Sequence, residues 1–185
     1  MLLDLEHSFE ELKGINIAKH IILPINSSIN KDIKLKFPVW IKINSSEHKL
    51  KINGVKKCDN LDELKKVHAE FKKKFPQKTF LVQENVEGSQ IMLGIKEDKT
   101  FGKIILIGEG GSSVEEKKNI QFRVLPMGEA EIKSTLQEAN LKINDDLISL
   151  IEKLSKLKIK EADFNPIIVN DKAWIVDARI EIEED

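Results

Sequence analysis

Asp163, Asn165, Asp177 and Arg179 fall within one short stretch near the end of the chain, EADFNPIIVNDKAWIVDARIEI. The stretch reads as two adjacent strands joined by a turn at Asn170-Asp171. A strand repeats every two residues, so Asp163 and Asn165 share a face with Glu161, and Asp177 shares one with Arg179 on the return strand. Two carboxylates and an amide converging in this way offer the hard oxygen ligands that suit Mg²⁺. That cation takes one or two protein groups and keeps positions for phosphate oxygens and water. Two acids, an amide and an arginine facing one cleft are costly to bury without a ligand.

Arginine is scarce elsewhere. Of 30 basic residues only Arg123 and Arg179 are arginine, and the planar guanidinium grips carboxylate or phosphate in a way that lysine cannot copy. Arg179 belongs to the acidic strand pair. Arg123, in FRVLP, follows the most glycine-rich stretch and reads equally as a ligand group or a structural salt bridge. Lys42 interrupts the apolar run VWIKIN. An inward lysine is seldom buried without a partner, while strand alternation also allows Lys42 to face solvent.

GEGG at 108–111 is neither a P-loop, since no Gly-Lys-Ser/Thr follows, nor a dinucleotide fingerprint; taken alone it reads as a turn. His48, in SSEHKLKINGV, reads by itself as a solvated turn histidine. No Ser-His-Asp or Cys-His set and no HExxH motif stands out.

The chain has 185 residues, 41% hydrophobic and 33% charged, with net charge −1. That balance exerts no overall pull toward nucleic acid or an anionic membrane. The lone Cys58 excludes a disulfide framework and a cysteine-based zinc site, and favours a reducing interior. MLLDLEHSF lacks a basic leader, and no stretch approaches the ~20 apolar residues of a membrane span. The expectation is a cytoplasmic protein.

The elements that must position these residues are mixed. Residues 2–13 predict a short amphipathic helix ending at Gly14. Strands are expected over 17–24, 37–44 and 50–58, the last two as a hairpin. A helix over 61–74, capped by Asp59 or Asn60, turns Leu64, Val67 and Phe71 inward. Strands follow at 79–86, 90–97 and 102–109, then a polar loop, the strand QFRVLP, helices near 128–139 and 143–156, and the closing strand pair over 159–182. Without regular βαβ alternation this is α+β with mainly antiparallel sheet. Composition alone points to the polar loop at 110–120 as the boundary between lobes.

Read in order, FPVWIKI, HKLKINGV, LVQENVEG, QIMLGIKEDKTFGKIILIGEGGSSVE, FRVLPM, EADFNPIIV and VDARI closely resemble the ATP-grasp β subunit of ADP-forming acyl-CoA synthetases of the acetate–CoA ligase type, relatives of succinyl-CoA synthetase. The likeness runs in register over about residues 37–182, and D-x-N-P with D-A-R-I is its most specific part. The resemblance implies an α+β ATP-grasp fold, two small lobes with mainly antiparallel sheets enclosing a nucleotide cleft. The approximate lobes are 14–86 and 87–185, with 1–13 an N-terminal helix.

The same resemblance assigns roles. Lys42 matches the lysine on the nucleotide phosphates. Glu84 by its carbonyl and Val86 by its N–H match the hinge that reads adenine, and Gly54 and Gln90 complete the nucleotide set. Asn165 and Asp177 match the Mg²⁺ ligands, with Asp163 close behind. His48 matches a histidine that relays the phosphoryl group, Glu115 ends the loop facing the incoming phosphohistidine, and Arg179 helps neutralise the moving phosphoryl group. The implied cofactors are ATP/ADP and Mg²⁺. The implied partner is a CoA-binding α subunit in a hetero-oligomer, with no nucleic acid and no membrane.

This chain also departs from the family pattern. H-K-S-D-x-G-G-V stands as HKLKINGV, with Leu50 for serine, Lys51 for aspartate and Asn53 for the first glycine, and Gln90 replaces an acid. Two readings therefore stand: a catalytic subunit, or a degenerate non-catalytic ATP-grasp subunit that binds nucleotide or a partner.

Overall fold

The computed structural model describes residues 1–46, 49, 52–111 and 119–183. The chain there forms two antiparallel sheets. The smaller, in the order β1-β4-β2-β3, contains β1 (His20–Leu23), β2 (Val39–Ile43), β3 (Val55–Cys58) and β4 (Phe80–Glu84). The larger runs β10-β8-β5-β6-β7, with β9 beside β8. Its strands are β5 (Ser89–Asp98), β6 (Gly102–Glu109), β7 (Ile120–Val124), β8 (Glu161–Val169), β9 (Ala173–Ile175) and β10 (Arg179–Glu181).

Helices cover one face of each sheet. α2 (Leu61–Lys74) starts where the Asn60 side chain accepts the Glu63 N–H, with acids in its first turn and lysines in its last, as its dipole favours. Its buried Leu64, Val67 and Phe71 pack with Val39, Ile41, Ile43, Phe80 and Val82 of the small sheet. The larger core joins α1 (Leu5–Glu10), α3 (Glu129–Glu138) and α4 (Asp145–Ser155) to Leu93, Ile95, Ile105, Ile107 and Phe164. Arg123 on β7 pairs with Glu138 on α3, so it is a structural link, one of the two readings open to it. Among the described residues no helix is long and apolar enough to cross a membrane.

The small sheet is covered on both sides. In β4, Phe80 and Val82 enter the core under α2, while Leu81 packs into the larger cluster and Gln83 is fully buried. In β2, Ile41 and Ile43 go to the first side and Lys42 to the second. Lys42 is buried because the other half of the protein closes over its face.

Two expectations need correction. The N-terminal helix spans only Leu5–Glu10, after Asp4 caps it by accepting the His7 N–H. Before it, Leu2 bridges Glu181 and the Leu3 N–H reaches the Ile180 carbonyl, which adds an extended segment to the edge of β10. The loop at 110–120 is not a boundary between sheets, because β6 and β7 on either side of it pair with each other. The chain changes sheet between Glu84 and Ser89.

One irregularity shapes everything downstream. β5 pairs with β8 as Leu93↔Phe164 and Ile91↔Ile167, so Met92 alone opposes both Asn165 and Pro166. This is a bulge, which bends a strand and re-aims its side chains. Pro166 has no N–H to give to a ladder. The hairpin partner bends in step: Ala173 and Ile175 face the core, then Ala178 and Ile180 do, leaving Val176 and Asp177 together off the core. Phe164 sits at the root of this bulge with no exposed surface. Phe164→Ala should lower the unfolding free energy by about 3–5 kcal/mol in a urea titration.

Candidate functional site

The register of the β8 hairpin is the same on both sides of the bend, Asp163↔Arg179 below it and Ile167↔Ile175 above it. Carried across the open stretch of the ladder, that register sets Asn165 opposite Asp177, both off the core. The Asn165 Oδ1 accepts the Gly111 N–H at 3.0 Å. Asp177 Oδ1 accepts the Lys49 ammonium at 2.8 Å and the Ala178 N–H at 3.1 Å.

From the small sheet, Lys42 reaches the same place. Its ammonium donates to Gln83 Oε1 at 2.8 Å and to the Val176 carbonyl, one residue before Asp177. The bend frees that carbonyl from the ladder, so it can accept from the other sheet. Burial pushes the Lys42 amine down to about 8; the Asp177 carboxylate resists this and the Lys49 ammonium adds to it.

Two concave regions flank this cluster. A cavity of about 390 Å³ lies along the strand crossover, lined by Lys19, Glu84, Asn85, Val86, Glu87 and Trp174, among others. The Glu84 carboxylate itself is turned to the Lys36 N–H and the Lys19 ammonium. On the open face of the large sheet, Asp163 and Arg179 line a groove of about 370 Å³ together with Met92, Gly94, Leu106 and Phe122.

The loop glycines set how closely the backbone comes. A Cβ on Gly110 would fall 2.5 Å from the Ile91 carbonyl carbon, and Gly111 has φ +101 with Gln90 Oε1 beside it. GEGG is not simply the turn its composition suggests: Gly108 and Glu109 still belong to β6, and Gly111 beyond them delivers a backbone donor to Asn165. Gly54 is buried; its N–H donates to the Lys49 carbonyl and its carbonyl accepts the Ile43 N–H. Asn53 takes the left-handed conformation, φ 49, in place of glycine.

The structure thus gathers Lys42, Asn165 and Asp177, places Asp163 and Arg179 on the adjoining groove, ties Gly54 to Lys49, sets Gln90 against Gly111, and puts Glu84 and Val86 on the cavity. His48 and Glu115 lie outside the described residues. Sequence reasoning passed over Gln83 and Trp174 as site groups. A glutamine inside the apolar run FLVQEN is the one signal that was available for Gln83.

An oxygen-seeking cation fits the pair. Among the described residues no three His, Cys, Asp or Glu side chains gather in a metal-holding group. One carboxylate and one amide oxygen remain, the sparse set that Mg²⁺ uses when a ligand's phosphates complete its shell.

A family model described as an ATP-grasp domain matches residues 11–182. The chain is 28% identical over 207 residues to an acetate–CoA ligase (ADP-forming) II of Archaeoglobus fulgidus, covering 99% of this chain and 31% of that one. It is 33% identical to the β subunit of acetate–CoA ligase (ADP-forming) II of Pyrococcus furiosus, over 50% of this chain and 48% of that one. A dinucleotide-forming acetyl-coenzyme A synthetase 1 of Ca. Korarchaeum cryptofilum superposes with a TM-score of 0.78 at 25% identity, covering 97% of this chain and 92% of that chain. That protein was solved with coenzyme A and Mg-AMPPCP, its phosphohistidine segment pointing towards the nucleotide-binding site. The chain spans less than half the length of these two curated relatives.

Lys42 should titrate near pH 8 in the nucleotide-free protein, read from its side-chain nitrogen by NMR, with Asp177 and Lys49 as its charged neighbours. Between about 8 and the ordinary 10.5 the unfolded chain holds a proton that the folded one has lost. The unfolding free energy should therefore gain from this group as pH rises through that window, and Lys42→Met should remove that gain.

Proposed function

The chain belongs to the ATP-grasp domain family, and we propose that it is the nucleotide-binding β subunit of an ADP-forming acyl-CoA synthetase. It would work with a separate CoA-binding α subunit in the reaction acyl-CoA + ADP + Pᵢ ⇌ carboxylic acid + CoA + ATP. The observation that carries this reading is the Asn165–Asp177 pair, held opposite each other at the point where Lys42 crosses from the other lobe.

In this reading adenine lies in the crossover cavity against the Glu84 carbonyl and the Val86 N–H, near Gln90. Lys42 and Gly54 face the phosphates. Asn165 and Asp177, with Asp163 behind them, would hold Mg²⁺, which would supply positive charge against the phosphates. The phosphoryl group passes between a phosphohistidine nitrogen and the terminal oxygen of ADP, the N–P bond breaking as the O–P bond forms. Catalysis of such a transfer is mostly positioning and charge neutralisation. Arg179 supplies a planar cation on the open face, His48 relays the group, and Glu115 faces the incoming phosphohistidine.

The alternative, a non-catalytic subunit, draws on Leu50 and Lys51 in HKLKINGV. Asn53 supports the enzyme, since it keeps the left-handed turn that the family's glycine would make. Incubating the chain and its α partner with labelled ATP and Mg²⁺ separates the two. Acid-labile label with thioester turnover supports the enzyme, and binding without either supports the alternative.

Calorimetry tests the site directly. Asp177→Ala should abolish Mg²⁺-dependent ADP binding. Lys42→Met should weaken it by about ten- to a hundredfold and also lower the melting temperature, because Gln83 Oε1 and the Val176 carbonyl lose their donor. Undiminished ADP affinity in Asp177→Ala would overturn the metal assignment.

A further inference from the structure

Lys49 sits on the carboxylate that a divalent cation would need. Its side chain is only 8% exposed, and its ammonium lies 2.8 Å from Asp177 Oδ1, whose side chain is 31% exposed. The residue is not a surface lysine that happens to reach inward. Its carbonyl accepts the Gly54 N–H at 2.7 Å, which ties its backbone to the base of the β2–β3 hairpin.

The local charge balance is unfavourable to a lone metal ion. Lys42 senses both the Lys49 ammonium and the Asp177 carboxylate, and Lys49 pairs with that same carboxylate. The facing Asn165 is neutral. A dication arriving alone meets a carboxylate already neutralised and a second positive charge beside it. Like charges gathered in a partly dehydrated site repel far more than in water. A polyphosphate changes the balance, because its oxygens can receive an ammonium while the metal takes the carboxylate.

We infer that Lys49 is an exchange cation: it occupies Asp177 in the nucleotide-free protein and transfers to a phosphate oxygen when a nucleoside polyphosphate and its divalent cation enter together. The inference rests on the nucleotide-binding reading above and adds to it an order, in which the site refuses metal without nucleotide. Lys49 acts as a positioning residue, since it clears Asp177 for the metal and then holds the phosphates.

The test uses Mn²⁺ as the metal probe, with free Mn²⁺ read by electron paramagnetic resonance, and ADP binding read by calorimetry without divalent metal. Lys49→Met should bind Mn²⁺ alone at least about fivefold more tightly than wild type and bind metal-free ADP more weakly by a similar factor. Opposite signs from one substitution are not what a merely structural lysine would give, since misfolding weakens both. Lys49→Arg keeps the charge and should leave Mn²⁺ binding as weak as in wild type. Adding Asp177→Asn to Lys49→Met should erase the gain. Unchanged or weakened Mn²⁺ binding in Lys49→Met, with a melting temperature like wild type, would overturn the exchange. If Lys49→Met does not fold, Lys49→Gln is read the same way. Wild type that binds no ADP with or without metal would instead overturn the nucleotide reading, and the Mn²⁺ comparison still decides on Lys49.

Discussion

A positive charge buried between two sheets governs this molecule. Lys42 is held in place by Gln83 from its own sheet and by the Val176 carbonyl from the other. An unpartnered buried ammonium would be far more costly than any single contact elsewhere in the fold. The two sheets are thus tied together by a polar requirement, with Leu81 of the small sheet adding apolar contact to the larger core. Burial lowers the basicity of Lys42, and its two acceptors, being neutral dipoles, do not restore it, while Asp177 helps only through space. A group held this way is poised for a stronger anion than the protein itself provides.

The acceptor exists because the β8 hairpin is irregular. Had the ladder run on, the Val176 carbonyl would have been spent on a strand partner, and Asn165 and Asp177 would have alternated regularly with core residues. The bulge opposite Met92 instead turns two consecutive residues of each strand away from the core. A regular sheet face offers one functional side chain every second residue, and the bend concentrates them. The cost falls on packing that Phe164, Ile167 and Ile175 supply around it, all with no exposed surface.

Much of this was legible in the residues. The period of Leu64, Val67 and Phe71 located α2, the Asn170-Asp171 turn located the hairpin, and the D-x-N-P and D-A-R-I motifs singled out the strands that carry Asn165 and Asp177. Other features were out of reach for physical reasons. Leu2 and Leu3 fit an amphipathic helix as well as they fit a strand edge, and only pairing with β10 decides between them. The polar loop at 110–120 looks like a boundary because composition marks exposure, and a loop within one sheet is as exposed as a linker between two. Lys42 was ambiguous because alternation tells which residues share a face, without telling whether that face meets water. Lys49 was hidden among four other lysines between Lys42 and Lys57, and no pattern in the sequence singles out the one that turns inward.

Each member of the facing pair is held by a residue from outside its hairpin. The loop before β3 gives Lys49 to Asp177, and the loop after β6 gives the Gly111 N–H to Asn165. The anchors differ in kind. An amide oxygen has two lone pairs, so Asn165 can keep the Gly111 hydrogen bond and still offer a lone pair to a cation. A carboxylate has acceptor sites to spare, yet the ammonium on Asp177 opposes a second cation by charge, whatever geometry allows. The pair is therefore asymmetric toward metal, open at Asn165 and electrostatically occupied at Asp177. Negative charge brought from outside would resolve the asymmetry, and the polyphosphate of the proposed nucleotide would supply it.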